Sequence, residues 1–353
     1  MNSNHNLRKP FLHFGNPFRM ISNKGSSLSP KLVGLLDSFE ENLMEKLKSL
    51  KPREQDGVLS LSWMTSALES LCAIQTEVKS LISALELPVN DWDEKWFDVY
   101  LDNSVKLLDV CIGFRSEVSR LNQGNLFLQS VLHNLDSAAP VQFTKAESSL
   151  DHWRQHISSK NPRIEKCSSI LCQFIDTLDV PRIKNSSKGR VLMRTMYGVR
   201  VVTVFICDVF AAAFSGSAQK LVDLPAPEAC LWAEAFTEVQ ALVNGEIRKI
   251  HSGGKVMVVK ELVAINTSVK KLHPLVQKGE DTVEVEALKS SITDLRNSSA
   301  ELTQRLDSLA REIDSFFQIL LAGRDALLGK LRVGSDVSNM MQHNNNAKHQ
   351  VVR

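Results

Sequence analysis

No stretch of this sequence reaches the roughly 18 uninterrupted apolar residues of a membrane-spanning helix. The nearest approach, residues 199–214, is broken by Arg200 and Asp208, and a short apolar run of that kind fits a buried core helix. The phosphate-cradling GxxxxGK[ST] loop, a GxGxxG opening a helix, HExxH, GxSxG and the calcium-loop pattern are all missing. No catalytic residue, cofactor or metal ligand is therefore expected. Strand-like alternation and glycine-rich hairpin signals are also lacking. Charge of one sign is not in excess: 42 basic side chains face 40 acidic ones, a formal charge of +2. Nothing global marks a nucleic-acid binder, and no nucleic-acid partner is expected. The six cysteines (Cys72, Cys111, Cys167, Cys172, Cys207 and Cys230) contain no CxxC pair, and Cys167 and Cys172 are five apart. No secretory leader precedes them, so they read as buried, reduced thiols rather than a disulfide framework.

What is present is helix after helix. Hydrophobic residues make up 43% of the 353, enough to bury a core. At this length the chain forms one elongated domain or two smaller lobes. Ser29-Pro30 opens a helix on which Leu32, Leu36, Phe39, Leu43 and Leu47 share one face, and Pro52 and Gly57 close it. A second helix is predicted from about residue 59 to 87, carrying Trp63, Leu68, Leu71 and Leu81, with Pro88 as its stop. A third starts at Asn90-Asp91, with Glu94 completing a capping box. It is predicted to break at Gly124 before a shorter segment ending near Asp136. Helices follow at about 142–159 and 163–179, then from 190 to about 214, at 228–251 and at 255–277.

The strongest periodic signal is Val285, Leu288, Ile292, Leu295, Ser299, Leu302, Leu306, Leu309, Ile313, Phe316 and Leu320. This seam alternates steps of three and four with one polar member, and it needs a covering helix. The flanking residues form no complementary charge code, and Phe317 widens the stripe, so packing inside a bundle is favoured over a dimeric coiled coil. The fold is thus expected to be all-α: an elongated multi-helix bundle with long antiparallel helices. Residues 1–27 form a flexible basic and aromatic arm, 28–180 an N-terminal lobe, 181–189 a linker and 190–333 a C-terminal lobe. Residues 334–353 form a disordered tail. The two lobes can also be one continuous domain.

Local chemistry offers a few candidate surfaces. The arm clusters Phe11, Phe14 and Phe18 around Gly15-Asn16-Pro17, too apolar for a spacer, and it carries Arg8, Lys9, Arg19 and Lys24 with no acid before Asp37. Such a leader reads either as a docking strap or as an organelle transit peptide. Between Asp179 and Asp208 no acid occurs, while Arg182, Lys184, Lys188, Arg190, Arg194 and Arg200 accumulate. A basic, partly apolar helix start can meet an anionic membrane surface or an acidic partner segment. The candidate contact residues are therefore Phe14, Pro17, Phe18 and Arg19 in the arm, with Lys188, Arg190 and Arg194 in the basic segment. His152 and His156 stand four apart, but no further ligand is tied to them, and a solvated helix face is the better reading. The acids Asp91, Asp93 and Glu94 suit a helix N-terminus without a metal.

Several segments together resemble the plant BYPASS family. They are FGNPFRM at 14–20, LSPKL at 28–32, LSWMTSALESLC at 61–72 and LPVNDWDEKWFDVYLDNSVKLLDVC at 87–111. SLDHWRQH at 149–156, SSKGRVLMRTMYGVRVVTVFICDVF at 186–210 and FFQILLAGRDALL at 316–328 continue the match over nearly the whole chain. The resemblance implies a plant protein of unassigned biochemical activity, linked to root and shoot development through restraint of a root-derived mobile signal that arrests leaf growth. A related branch is associated with exocyst subunits and secretion. The family carries no functional residues over to this chain.

The expected function is a non-enzymatic developmental regulator that works through protein partners, exocyst-type subunits being the candidates by resemblance, and an anionic membrane surface. Its expected compartment is the cytoplasm, with membrane association, or alternatively the plastid. One alternative is an enzyme or carrier for a small apolar, carotenoid-derived metabolite, for which a deep, partly polar cavity would speak. Another is a single-span membrane protein related to secretion.

Overall fold

The computed structural model describes residues 28–52, 57–86, 94–136, 140–178, 186–217, 221–252, 258–278 and 285–350. The described residues contain helices and no strand, an all-α bundle as expected. In chain order the helices are α1 (Pro30–Ser49), α2 (Leu61–Leu85), α3 (Glu94–Asp136), α4 (Pro140–Ser158), α5 (Pro162–Asp176), α6 (Ser187–Ser215), α7 (Ala233–Ser252), α8 (Lys260–Lys278) and α9 (Val285–Gln350).

Local signals start four of them. Ser29, Ser60, Asn161 and Ser186 are N-caps whose side-chain oxygens accept the backbone N–H of Leu32, Trp63, Arg163 and Gly189, satisfying amides that lack an intrahelical partner. Pro30 and Pro162 occupy first-turn positions where a missing N–H costs nothing. The α1 stripe of Leu32, Leu36, Phe39, Leu43 and Leu47 is buried throughout, as are Trp63, Leu68, Leu71 and Leu81 on α2. The buried apolar side chains of these helices belong to one cluster.

The α9 seam finds its cover within the chain. Leu295, Leu302, Leu306, Leu309, Ile313, Phe316 and Leu320 are buried, and α9 packs most extensively on α3, then on α2 and α8. The polar member, Ser299, is 3% exposed and meets a polar partner: its Oγ donates to Asn125 Oδ1 at 2.7 Å, and Asn125 Nδ2 donates to Thr303 Oγ1 at 2.6 Å.

The structure departs from two expectations. Helix α3 runs unbroken through Gly124. A glycine costs only about 1 kcal/mol inside a helix, and here it makes room: a Cβ would sit 3.1 Å from the His156 ring of α4. Residues 187–189, expected within the linker, already belong to α6, because Ser186 caps it; residues 181–185 lie outside the described residues. Helix α9 continues as backbone to Gln350. No proline follows residue 285, and a helix that is already running extends at little cost per residue.

Candidate functional site

Of the cations of the acid-free stretch, Lys188, Arg190, Arg194 and Arg200 lie on α6, and two of these serve helix ends; Arg182 and Lys184 lie outside the described residues. Lys188 Nζ donates to the carbonyl of Glu86 at the C-terminus of α2, 3.1 Å away. Arg200 Nη2 donates to the Phe174 carbonyl and to Thr177 Oγ1 at the C-terminus of α5, with its guanidinium 5.7 Å from the Phe174 ring. Both charges meet carbonyls left over at a helix end, where the dipole is negative. Arg190 Nη2 donates to Ser187 Oγ at 3.0 Å.

Arg194 is committed furthest inside. Its guanidinium forms a bidentate pair with Glu40 on α1, Nη2 lying 2.9 Å from Oε2, with side chains only 10% and 1% exposed. Glu40 Oε2 also accepts the Leu231 N–H, and Arg194 donates to the Ala229 carbonyl. Lys188, Arg190 and Arg194 are thus held by internal partners. Phe14, Pro17, Phe18 and Arg19 lie outside the described residues.

Farther along α6, Asp208 is 6% exposed within the long apolar stretch of that helix. Burial pushes its carboxyl up to about 6, while a hydrogen bond from the Val222 N–H to Oδ2 at 3.3 Å pulls the other way. This carboxylate lines a cleft of about 560 Å³ between the α4–α5 turn and the C-terminal end of α6. Ile157, Ile164, Ala212, Phe214 and Leu221 supply apolar wall. Arg120 closes one side, fixed by Glu117 at 2.7 Å and by the His156 carbonyl at 2.8 Å. The cleft is mixed in polarity and of a size that admits a small molecule, on the order of 300–1,000 Å³ being usual.

A second, shallower groove of about 540 Å³ runs between α3 and α9 with the start of α5 at one edge. Ile313 and Phe317 line it, and Ile112 stands 43% exposed beside them. Arg163 and the Arg115–Asp314 pair, 3.1 Å apart, are its charged members.

Other chemistry-bearing residues have structural roles. Cys72, Cys111, Cys167 and Cys207 come from α2, α3, α5 and α6, and neighbouring thiols add to the rise in pKa at Cys111 and Cys207. Burial is the larger cause, pushing Cys72 and Cys167 up to about 11 and Cys111 to about 12, so they are protonated thiols and poor nucleophiles. Cys167 sits where a Cβ on Gly113 would be, so α3 and α5 close together only because residue 113 has no side chain. His156 bonds the Arg120 carbonyl through Nε2 at 2.8 Å and packs edge-on against Phe127, on which His152 stacks. The exposed-face reading holds for His152, whereas His156 clasps α4 to α3. Among the described residues no group of three or more His, Cys, Asp or Glu is placed to hold a metal.

Against known proteins, the family model "Protein BPS1" matches residues 66–329. This chain belongs to the BPS1 family. "Protein BPS1, chloroplastic" of Arabidopsis thaliana is 51% identical over 323 residues, covering 91% of this chain and 90% of that protein. "UPF0496 protein 4" of Oryza sativa subsp. indica is 41% identical over 326 residues, 91% of this chain and 70% of the relative. A more distant relative, "Protein ROH1D" of Arabidopsis thaliana, is 26% identical over 131 residues, 35% of this chain and 32% of that protein. The BYPASS resemblance is therefore a family relationship that spans the bundle. No solved structure matches.

Proposed function

We propose that this BPS1-family chain is a non-enzymatic regulator of plant development that restrains a root-derived mobile signal through contacts with protein partners. The observation that carries this reading is the family match, which runs through almost the entire bundle rather than through one motif. The mobile signal and exocyst-type partners rest on the family resemblance alone. The groove with Ile112 exposed supports contact with a partner, and the Phe14–Phe18 arm is the second candidate surface. The relative's name, together with the acid-poor basic start of this chain, supports the plastid over the cytoplasm. Helix α6 is long and apolar enough to cross a membrane, but 83% of its most apolar stretch is buried in the bundle, which supports a core role.

The test is expression of this chain in Arabidopsis lacking Protein BPS1. Restored leaf growth is expected, and persistent arrest with full accumulation of the protein refutes the proposal. A Phe14→Ala, Phe18→Ala form that accumulates and restores growth fully removes the arm from it. A second reading, binding of a small metabolite, is favoured by one observation: the partly polar cleft at Asp208.

A further inference from the structure

The Asp208 cleft gathers polar groups around one buried carboxylate. Helices α4 and α6 end at it, through Ser158 and Ser215, and α5 begins at it, through Pro162, so two negative dipole ends stand against one positive end. The hydroxyls of Ser158, Ser159, Ser168 and Ser215 each donate their proton to a nearby backbone carbonyl. Their oxygens are therefore left to act as acceptors, not donors. Of the cations on the wall, Arg120 is engaged with Glu117 and Lys166 with Asp109 at 3.3 Å, while Lys160 stands exposed on the α4–α5 turn and Glu165 adds a second carboxylate to the lining. Among the described residues, the only bond reaching the Asp208 carboxylate is the Val222 N–H. A buried carboxylate with one neutral partner destabilises a fold unless something compensates for it.

We propose that this cleft binds a small amphiphilic amine, whose ammonium pairs with the Asp208 carboxylate while its apolar body lies against Ala212, Phe214 and Leu221. An ammonium supplies three donors. The carboxylate and the serine oxygens supply the acceptors, and the apolar wall selects against a small hydrated metal ion. This inference rests on the metabolite-binding reading of the cleft and adds the chemical class.

The experiment is calorimetric titration of the full chain with benzylamine, phenethylamine and putrescine, with benzyl alcohol as the uncharged isostere. At least one amine is expected to bind saturably, about tenfold or more tighter than benzyl alcohol, since an unpaired buried charge is worth at least about 1.4 kcal/mol to its ligand. Asp208→Asn, which keeps the acceptor for Val222, is expected to lose about the same factor. Its circular dichroism should be unchanged. Lys220, outside the described residues, is tested by Lys220→Ala, for which amine affinity should stay within about threefold; a larger gain shows that the chain supplies its own counter-ion and overturns the proposal. Equal binding of amine and alcohol, or by Asp208→Asn and wild type, overturns the amine assignment and spares the cleft as a metabolite site. No saturable binding by any of the four probes overturns both.

Discussion

Removing the Asn125 side chain should loosen α9 from α3, and the structure sets how much. Asn125 is 3% exposed and makes three hydrogen bonds across the interface: Nδ2 to the Ser299 carbonyl at 3.1 Å, Nδ2 to Thr303 Oγ1 at 2.6 Å, and Oδ1 from Ser299 Oγ at 2.7 Å. At about 1 kcal/mol net per bond, Asn125→Ala should destabilise the fold by about 3 kcal/mol. Ser299→Ala removes only one of the three bonds but leaves Asn125 Oδ1 buried without a donor, so about 1–3 kcal/mol is expected. Once Asn125 is gone, losing the Ser299 hydroxyl should cost little. The double variant should therefore resemble Asn125→Ala, with a coupling of at least about 1 kcal/mol. Urea unfolding of the full chain, followed by circular dichroism at 222 nm, measures all four forms. Additive single effects, coupling below about 0.3 kcal/mol, would show that the polar trio is not a unit and would refute its role in fixing the α3–α9 register.

Two further predictions concern buried charge. Because burial raises the Asp208 carboxyl to about 6 from 3.8, the folded state holds its proton more tightly than the unfolded chain does. Its contribution to stability is full below about pH 4 and is lost as pH rises towards 6, by roughly 3 kcal/mol at most. Asp208→Asn should thus gain on wild type across that window and stay ahead at pH 7, as read by denaturant midpoints; parallel pH profiles for the two proteins would contradict this. For the buried pair, Glu40→Gln leaves Arg194 without its counter-charge and should cost about 3–5 kcal/mol. Glu40→Leu with Arg194→Met should recover most of that loss in the same unfolding measurement.

Features set by residues a few positions apart were legible in the sequence. The α1 and α2 stripes, the start of α1 at Ser29-Pro30 and the intrachain seam of α9 all arise from helical spacing and from amides that need a nearby acceptor. What joins distant segments was not legible. Glu261 on α8 accepts the Leu61 N–H through both carboxylate oxygens, at 3.0 and 3.1 Å, and so caps a helix that begins 200 residues earlier. Gly124 reads locally as a helix breaker, and only the His156 ring shows it to be clearance for a crossing helix. The cations of α6 read as an outward patch until the carbonyl ends of α2 and α5 and the Glu40 carboxylate are seen to hold Lys188, Arg200 and Arg194. Asp208 looks in sequence like an interruption of an apolar run. Its cleft exists only because α4, α5 and α6 end or begin at one place. Sequence alone determined which residues are helical and which face of each helix must be covered, because hydrogen bonding and periodicity act over one or two turns. The tertiary structure decided which charges are neutralised and where a cavity remains, because those depend on groups brought together only by packing.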